Sequence, residues 1–208
     1  MNRVPVYISG AVEGPSDEAV LRRIVQHAGG IIHRVQVQNG KAALRRALPG
    51  YNAAAHWSRW LVLVDLDNDF PCAAGLKADW LATPGPYMGL RVVVRALEAW
   101  LLADAERFSK FFAVKKTAIP AAPEAIPHPK SAVIGIVMGS RRRSIKQDMI
   151  PRPGSGRQVG PAYTSRLIEF ATHPSAGWRP DVAATRAPSL ARCLSRLEHL
   201  IENGPPGQ

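Results

Sequence analysis

Trp60-Leu61-Val62-Leu63-Val64-Asp65-Leu66-Asp67-Asn68-Asp69 is the stretch on which the fold turns. Five apolar residues in unbroken succession, with no polar alternation, predict a strand covered on both faces, as in a parallel sheet. Working back from it, Val4 to Ser9 is rich in β-formers and runs into Gly10, which predicts a first strand. Pro15-Ser16-Asp17-Glu18 then has the composition of a first helical turn. Val20, Leu21, Ile24 and Val25 form that helix's apolar face, and Gly29-Gly30 ends it. Ile31 to Gln38 alternates as a second strand. Lys41 to Leu48 is a short basic helix closed by Pro49-Gly50, and Ala53 to Trp60 is compatible with another. Working forward, Gly89 to Val94 is a fourth strand and Leu97 to Ala105 a helix. Strands that alternate with helices predict an α/β fold: a Rossmann-like, mostly parallel sheet flanked by helices.

The second half reads differently. Residues 113–130 carry Pro120, Pro123, Pro127 and Pro129 and read as a connector. Residues 141–157 hold Arg141, Arg142, Arg143, Lys146, Arg152 and Arg157 against one acid, Asp148, and with Gly154-Ser155-Gly156 predict a mobile basic loop. Helices are expected over Pro161 to Ala171 and Ser189 to Glu202. The second of these turns Leu190, Leu194, Leu197, Leu200 and Ile201 inward and stops at Asn203-Gly204. Pro205 to Gln208 is expected to fray. The division is a core over 1–112 and a basic, mainly helical C-terminal extension over 113–208 packed on it.

The chain has 208 residues, 27 Lys plus Arg against 16 Asp plus Glu, and a net charge of +11. Residues 1–110 hold 13 basic and 10 acidic residues, and residues 111–208 hold 14 and 6, so the surplus is +3 in the first part and +8 in the second. That imbalance points to a polyanionic partner. Two distant cysteines, Cys72 and Cys193, exclude a disulfide scaffold and a cysteine-rich zinc site. No apolar run approaches the roughly 20 residues that span a bilayer. The chain opens on Met-Asn-Arg and a strand rather than a secretory leader. A reduced, cytoplasmic setting with no membrane partner is the expectation.

Two acidic clusters directly follow predicted strands. Asp65-Leu66-Asp67-Asn68-Asp69 places alternate carboxylates at the end of a buried strand, where they are costly unless solvated, paired or metal-bound. Oxygen donors at that density suit Mg2+ or Mn2+. A polar loop whose Asp side chains cap turns is the other reading. Glu13-Gly14-Pro15-Ser16-Asp17 offers a carboxylate, a glycine for close approach and a helix start. It fits a metal ligand or a base; by itself, an acidic residue complementing the helix dipole is the plainer reading. Sites in parallel sheets form at the carboxyl ends of strands, so the two clusters can meet at one edge.

Val12-Glu13-Gly14-Pro15-Ser16-Asp17 followed some 50 residues later by Val64-Asp65-Leu66-Asp67 resembles the Toprim domain. That fold is shared by type IA and type II topoisomerases, bacterial primases, recombination mediators and nucleases of the overcoming-lysogenization-defect type. The resemblance implies that Glu13, Asp65 and Asp67 bind divalent metal, Mg2+ or Mn2+, for phosphoryl transfer. The Glu-Gly-x-x-Asp form is closest to the overcoming-lysogenization-defect nucleases and implies Asp17 and Glu98 as further ligands and Lys130 as a catalytic lysine. Glu98 has an alternative as the ion-pair partner of Arg95, one turn earlier.

Arg95-Ala96-Leu97-Glu98-Ala99-Trp100, Pro129-Lys130, Tyr163, Trp178-x-Pro180 and Pro188-Ser189-Leu190 extend the likeness over nearly the whole chain. They resemble small stand-alone Toprim-like bacterial proteins of unassigned function, often thought to work beside a separate ATPase.

The expectation is therefore a divalent-metal-dependent nuclease, with DNA favoured over RNA, serving phage defence with that ATPase. Arg141, Arg142, Arg143, Lys146, Arg152 and Arg157 would hold the nucleic-acid backbone. A non-cleaving regulatory module that binds nucleic acid or an ATPase is the alternative. The chain has no Gly-x4-Gly-Lys-Ser/Thr loop, so NTPase activity would come from another chain. A phosphatase of the haloacid-dehalogenase type fits less well, because Asp69 stands where that family has Thr or Val. The six histidines are scattered without metal-ligand spacing.

Overall fold

The computed structural model describes residues 5–205. Val4, expected to begin the first strand, and the expected fraying of residues 206–208 lie outside them. The first strand, β1, runs over Tyr7–Val12 rather than stopping before Gly10. Gly10 sits inside it because a Cβ there would come within 2.8 Å of a Leu21 side-chain carbon. The residue lets helix α1, Pro15–His27, lie close against the strand. Strands β2 (Ile31–Val37), β3 (Trp60–Asp65) and β4 (Met88–Val93) fall where their apolar patterns put them. All pairings are parallel, in the order β2-β1-β3-β4. The fold is thus α/β, and its sheet is wholly parallel.

β3 shows why an unbroken apolar run is needed. Leu61 and Leu63 enter one apolar cluster, with Ile8 and Val12 of β1 and Leu21 and Ile24 of α1. Trp60, Val62 and Val64 enter the other, beneath helix α2 (Lys41–Ala54) and helix α3 (Ala73–Trp80). Every side chain from Trp60 to Val64 therefore has an apolar face to fill.

α2 corrects the sequence reading. Pro49 lies inside it rather than ending it, and no separate helix covers Ala53 to Trp60. Leu44 and Leu48 anchor the first part. Tyr51, stacked on Trp60 at 4.7 Å, holds the part beyond the proline. α3 and the short helix α5 (Ala105–Phe111), which follows α4 (Leu97–Ala103), have no counterpart in the sequence reading.

The expected connector is ordered by two short 3-10 turns, Lys116–Ala118 and Pro123–Ala125, and its end is already helix α6, Pro129–Met138. Pro129 takes the first helical position, where a missing N–H costs nothing. The expected basic loop contains helix α7, Arg143–Met149, anchored by buried Ile145 and Met149. Helices α8 (Tyr163–Thr172), α9 (Pro180–Ala184) and α10 (Pro188–Glu202) complete the chain. They pack on α1, α4 and β4 respectively, and one apolar cluster runs through β1, α1, α4 and these C-terminal helices.

Buried polar links tie the two parts together. Trp178 Nε1 donates to the Trp100 carbonyl at 2.9 Å, and Trp100 Nε1 donates to Ser189 Oγ at 2.7 Å. Ser189 Oγ in turn donates to Glu124 at 2.6 Å. Among the described residues, no helix is long and apolar enough to cross a membrane.

Candidate active site

The order β2-β1-β3-β4 means that the chain leaves β1 in one direction to reach β2 and returns to the other side of β1 for β3 and β4. Connections that diverge in this way open a crevice at the carboxyl ends of the two central strands. Glu13 is the first residue after β1, and Asp65 is the last of β3. Asp67 follows two residues later with a left-handed backbone (φ 51°), a conformation that aspartate tolerates better than most residues. Asp17 lies in the first turn of α1, Glu98 in the first turn of α4, and Lys130 at the second position of α6. All six line one cleft of about 670 Å³.

The turn after β3 is fixed from both sides. Leu66 N–H donates to the Val93 carbonyl at 2.9 Å, and Asp67 N–H donates to the Arg95 carbonyl at 2.8 Å. Arg95 Nη1 returns a bond to the Asp67 carbonyl at 2.9 Å. Arg95 is thus engaged with the Asp67 turn, through its carbonyl and that of Asn68's side chain, and Glu98 is bonded instead by the Tyr163 hydroxyl at 3.1 Å. Glu13 Oε1 accepts from Asp65 N–H at 3.0 Å. Gly14 leaves room beside it, since a Cβ there would make a tight 3.2 Å contact with Asp17 Oδ2.

Crowding of carboxylates in a partly dry cleft raises their proton affinity. Glu13 is pushed up to about 7, chiefly by burial and further by the charges of Asp17 and Asp67. Its bond from Asp65 N–H and the nearby Lys41 oppose that rise. Asp17 is pushed up to about 6 by burial and by Glu98, against the pull of Lys130. Asp65 is raised well above the carboxylate range by burial, then by Asp17, Glu98, Glu13 and Asp67. Asp65 Oδ1 is buried and has no hydrogen-bond partner.

These donors suit a hard divalent cation: all are carboxylate oxygens, and one, Asp65 Oδ1, is a buried oxygen that no protein group bonds. Glu13, Asp17, Asp65, Asp67 and Glu98 are the cleft carboxylates from which ligands for Mg2+ or Mn2+ could be drawn. Among the described residues, no three His, Cys, Asp or Glu side chains are already arranged to hold a metal ion.

Lys41 is a cleft residue that the sequence reading misses. Its ammonium bonds Asp67 Oδ2 at 2.9 Å and Asp69 Oδ2 at 2.7 Å. Burial works to lower its pKa, but those two carboxylates outweigh it and hold the ammonium above the usual lysine value. A signal is present in the sequence: Lys41 opens a helix, where a cation opposes the dipole, so it needs an acidic partner elsewhere. Arg95, two residues beyond β4, also lines the cleft, with His128 and Gln158.

The six basic residues expected to bind nucleic acid are exposed and do not line the cleft. Arg143 and Lys146 lie on α7, Arg141 and Arg142 just before it, and Arg152 and Arg157 in the segment after it. The last of these stands next to Gln158, which reaches the cleft wall. None of the six is in an ion pair among the described residues.

No family model, curated protein or solved structure matches this chain.

Proposed function

We propose that this chain is a divalent-metal-dependent phosphodiesterase that cleaves nucleic acid, with DNA the favoured substrate. The observation that carries the reading is the buried, unpartnered Asp65 Oδ1, in a cleft shared with Glu13, Asp17, Asp67, Glu98 and Lys130. When bound, Mg2+ or Mn2+ supplies Lewis acidity at a phosphoryl oxygen and lowers the pKa of water.

The chain's own residues have separable tasks. Tyr163 fixes the buried Glu98, and Lys41 holds Asp67. Glu13 Oε1 is engaged by Asp65 N–H, which leaves Oε2 free to face the cation. Lys130 and Arg95 bring positive charge to the cleft, where a phosphate's charge develops. The exposed basic residues around α7 hold the backbone without reading bases.

Titration calorimetry with Mn2+ tests the reading. The wild-type protein binds Mn2+, and Asp65→Asn weakens that binding by at least about tenfold, the loss of a charged donor at a partly buried site. Absence of Mn2+ binding by the wild type, or equal affinity in Asp65→Asn, contradicts it.

A further inference from the structure

A second, basic and open hollow lies away from the carboxylate cleft, between the edge strand β4 and helix α10. Arg91, Arg192, Ser195, Arg196 and His199 line a cavity of about 560 Å³. A neighbouring cavity of about 230 Å³ shares Arg91 and Arg196 and adds Lys77 of α3. No acidic residue lines either. Arg192, Arg196 and His199 are spaced four and three residues apart, so they form one stripe along α10.

We propose that this pocket binds a phosphate group. Three guanidinium groups and an ammonium repel one another, and none is in an ion pair among the described residues. Arg91 Nε is buried without any hydrogen-bond partner. A buried donor left open in this way is costly unless a ligand completes it. Arg196 is aimed by Nη2 bonds to the Met88 carbonyl at 3.0 Å and the Pro86 carbonyl at 3.4 Å. Its Nη1 meets His199 Nδ1 at 3.1 Å.

The local field agrees with this geometry. Burial, then the charges of Arg91 and Arg196, hold Lys77 below the ordinary lysine value. Burial also lowers Arg91, with Arg192 and Arg196 adding to the effect against Cys193. A phosphate brings the missing negative charge and several acceptor oxygens, and the guanidinium fork matches that geometry. The inference is independent of the carboxylate cleft and holds whether or not that cleft is catalytic.

The test is equilibrium binding in EDTA, so that divalent metal plays no part. The probes are inorganic pyrophosphate by calorimetry and a short fluorescein-labelled single-stranded DNA by anisotropy. Arg192→Gln changes an exposed residue, and Arg91→Met relieves like-charge repulsion, so thermal melts of both are expected to match or exceed wild type. Each variant is expected to weaken phosphate binding by at least about fivefold, the loss of one charge-assisted hydrogen bond. A fall with pyrophosphate alone identifies a free phosphorylated ligand. A fall with DNA, together with a shallower salt dependence, identifies a nucleic-acid backbone. Wild-type affinity for both probes in folded Arg91→Met and Arg192→Gln overturns the proposal.

Discussion

Glu13 Oε1 accepts the backbone N–H of Asp65 at 3.0 Å, so the carboxyl ends of β1 and β3 are joined by the residues that carry the cleft's charge. The bond leaves both Asp65 side-chain oxygens free of Glu13. One of them, Oδ1, is buried with nothing to bond. The same bond spaces the two acidic clusters, which lie 52 residues apart in the chain.

On the proposed reading, Lys41 would compete with a cation for Asp67 Oδ2. Its bonds to Asp67 and Asp69 neutralise one side of the cleft. Lys41→Met is expected to tighten Mn2+ binding by roughly three- to tenfold, the effect of one unit charge at a partly solvated distance. Calorimetry reads this directly; unchanged or weaker binding would show that Lys41 does not oppose the cation.

The raised carboxylates set a pH dependence of definite sign. A carboxylate whose folded pKa exceeds its unfolded value makes the folded state bind more protons, so stability falls as pH rises between the two values. Glu13 spans 4.5 to about 7 and Asp17 spans 3.8 to about 6, and Asp65 acts in the same sense. In EDTA, the melting temperature is expected to fall as pH rises from about 4.5 to 7, and Mn2+ is expected to offset that fall near neutrality. Glu106 acts oppositely: hydrogen bonds from Lys110 and Arg179, and their charges, hold it at about 2. Its contribution is lost only as pH falls from 4.5 through that value, outside the first window. Melting curves across this range, with and without Mn2+, check the sign; a rising melting temperature in EDTA contradicts it.

The C-terminal part is fastened through Asp104. This carboxylate is fully buried and accepts from Arg179 Nε at 2.9 Å, Arg179 Nη2 at 2.8 Å and Arg179 N–H at 3.1 Å. It also caps α5 through Arg107 N–H at 3.2 Å. Asp104→Ala is expected to cost about 1.5–3 kcal/mol, the range for hydrogen bonds to a charged group. Urea denaturation measures it, and a loss below about 1 kcal/mol, the range of an exposed pair, would contradict this role.

Much of the frame is legible because it rests on local pattern. The unbroken Trp60 to Val64 run specifies a two-sided strand, and Glu13 and Asp65 fall at strand ends for the same reason. What escapes depends on distant contacts. Pro49 reads as a helix stop, yet Tyr51 on Trp60 carries α2 past it. Prolines in 113–130 read as a connector, although Pro129 begins a helix and places Lys130 at the cleft. Arginines in 141–157 hide the apolar pair Ile145 and Met149 that makes α7. The Glu98–Tyr163 bond spans 65 residues and leaves no local signature.

The basic residues flanking α7 make a separate prediction. Neutralising Arg141, Arg142 and Arg143 together is expected to weaken DNA binding in EDTA and to lower the slope of log affinity against log salt. On duplex DNA the slope falls by up to about 0.9 for each phosphate that no longer meets a cationic side chain. Anisotropy at several salt concentrations reads both quantities, and an unchanged slope removes these residues from the interface.

Nicking of supercoiled plasmid with Mn2+ or Mg2+, by wild type and Asp65→Ala prepared in parallel, measures phosphodiester cleavage itself. The expected result is metal-dependent nicking by the wild type that EDTA abolishes and that Asp65→Ala lacks. Nicking of equal rate in Asp65→Ala, or none by a wild-type protein that binds both Mn2+ and the plasmid, would contradict it.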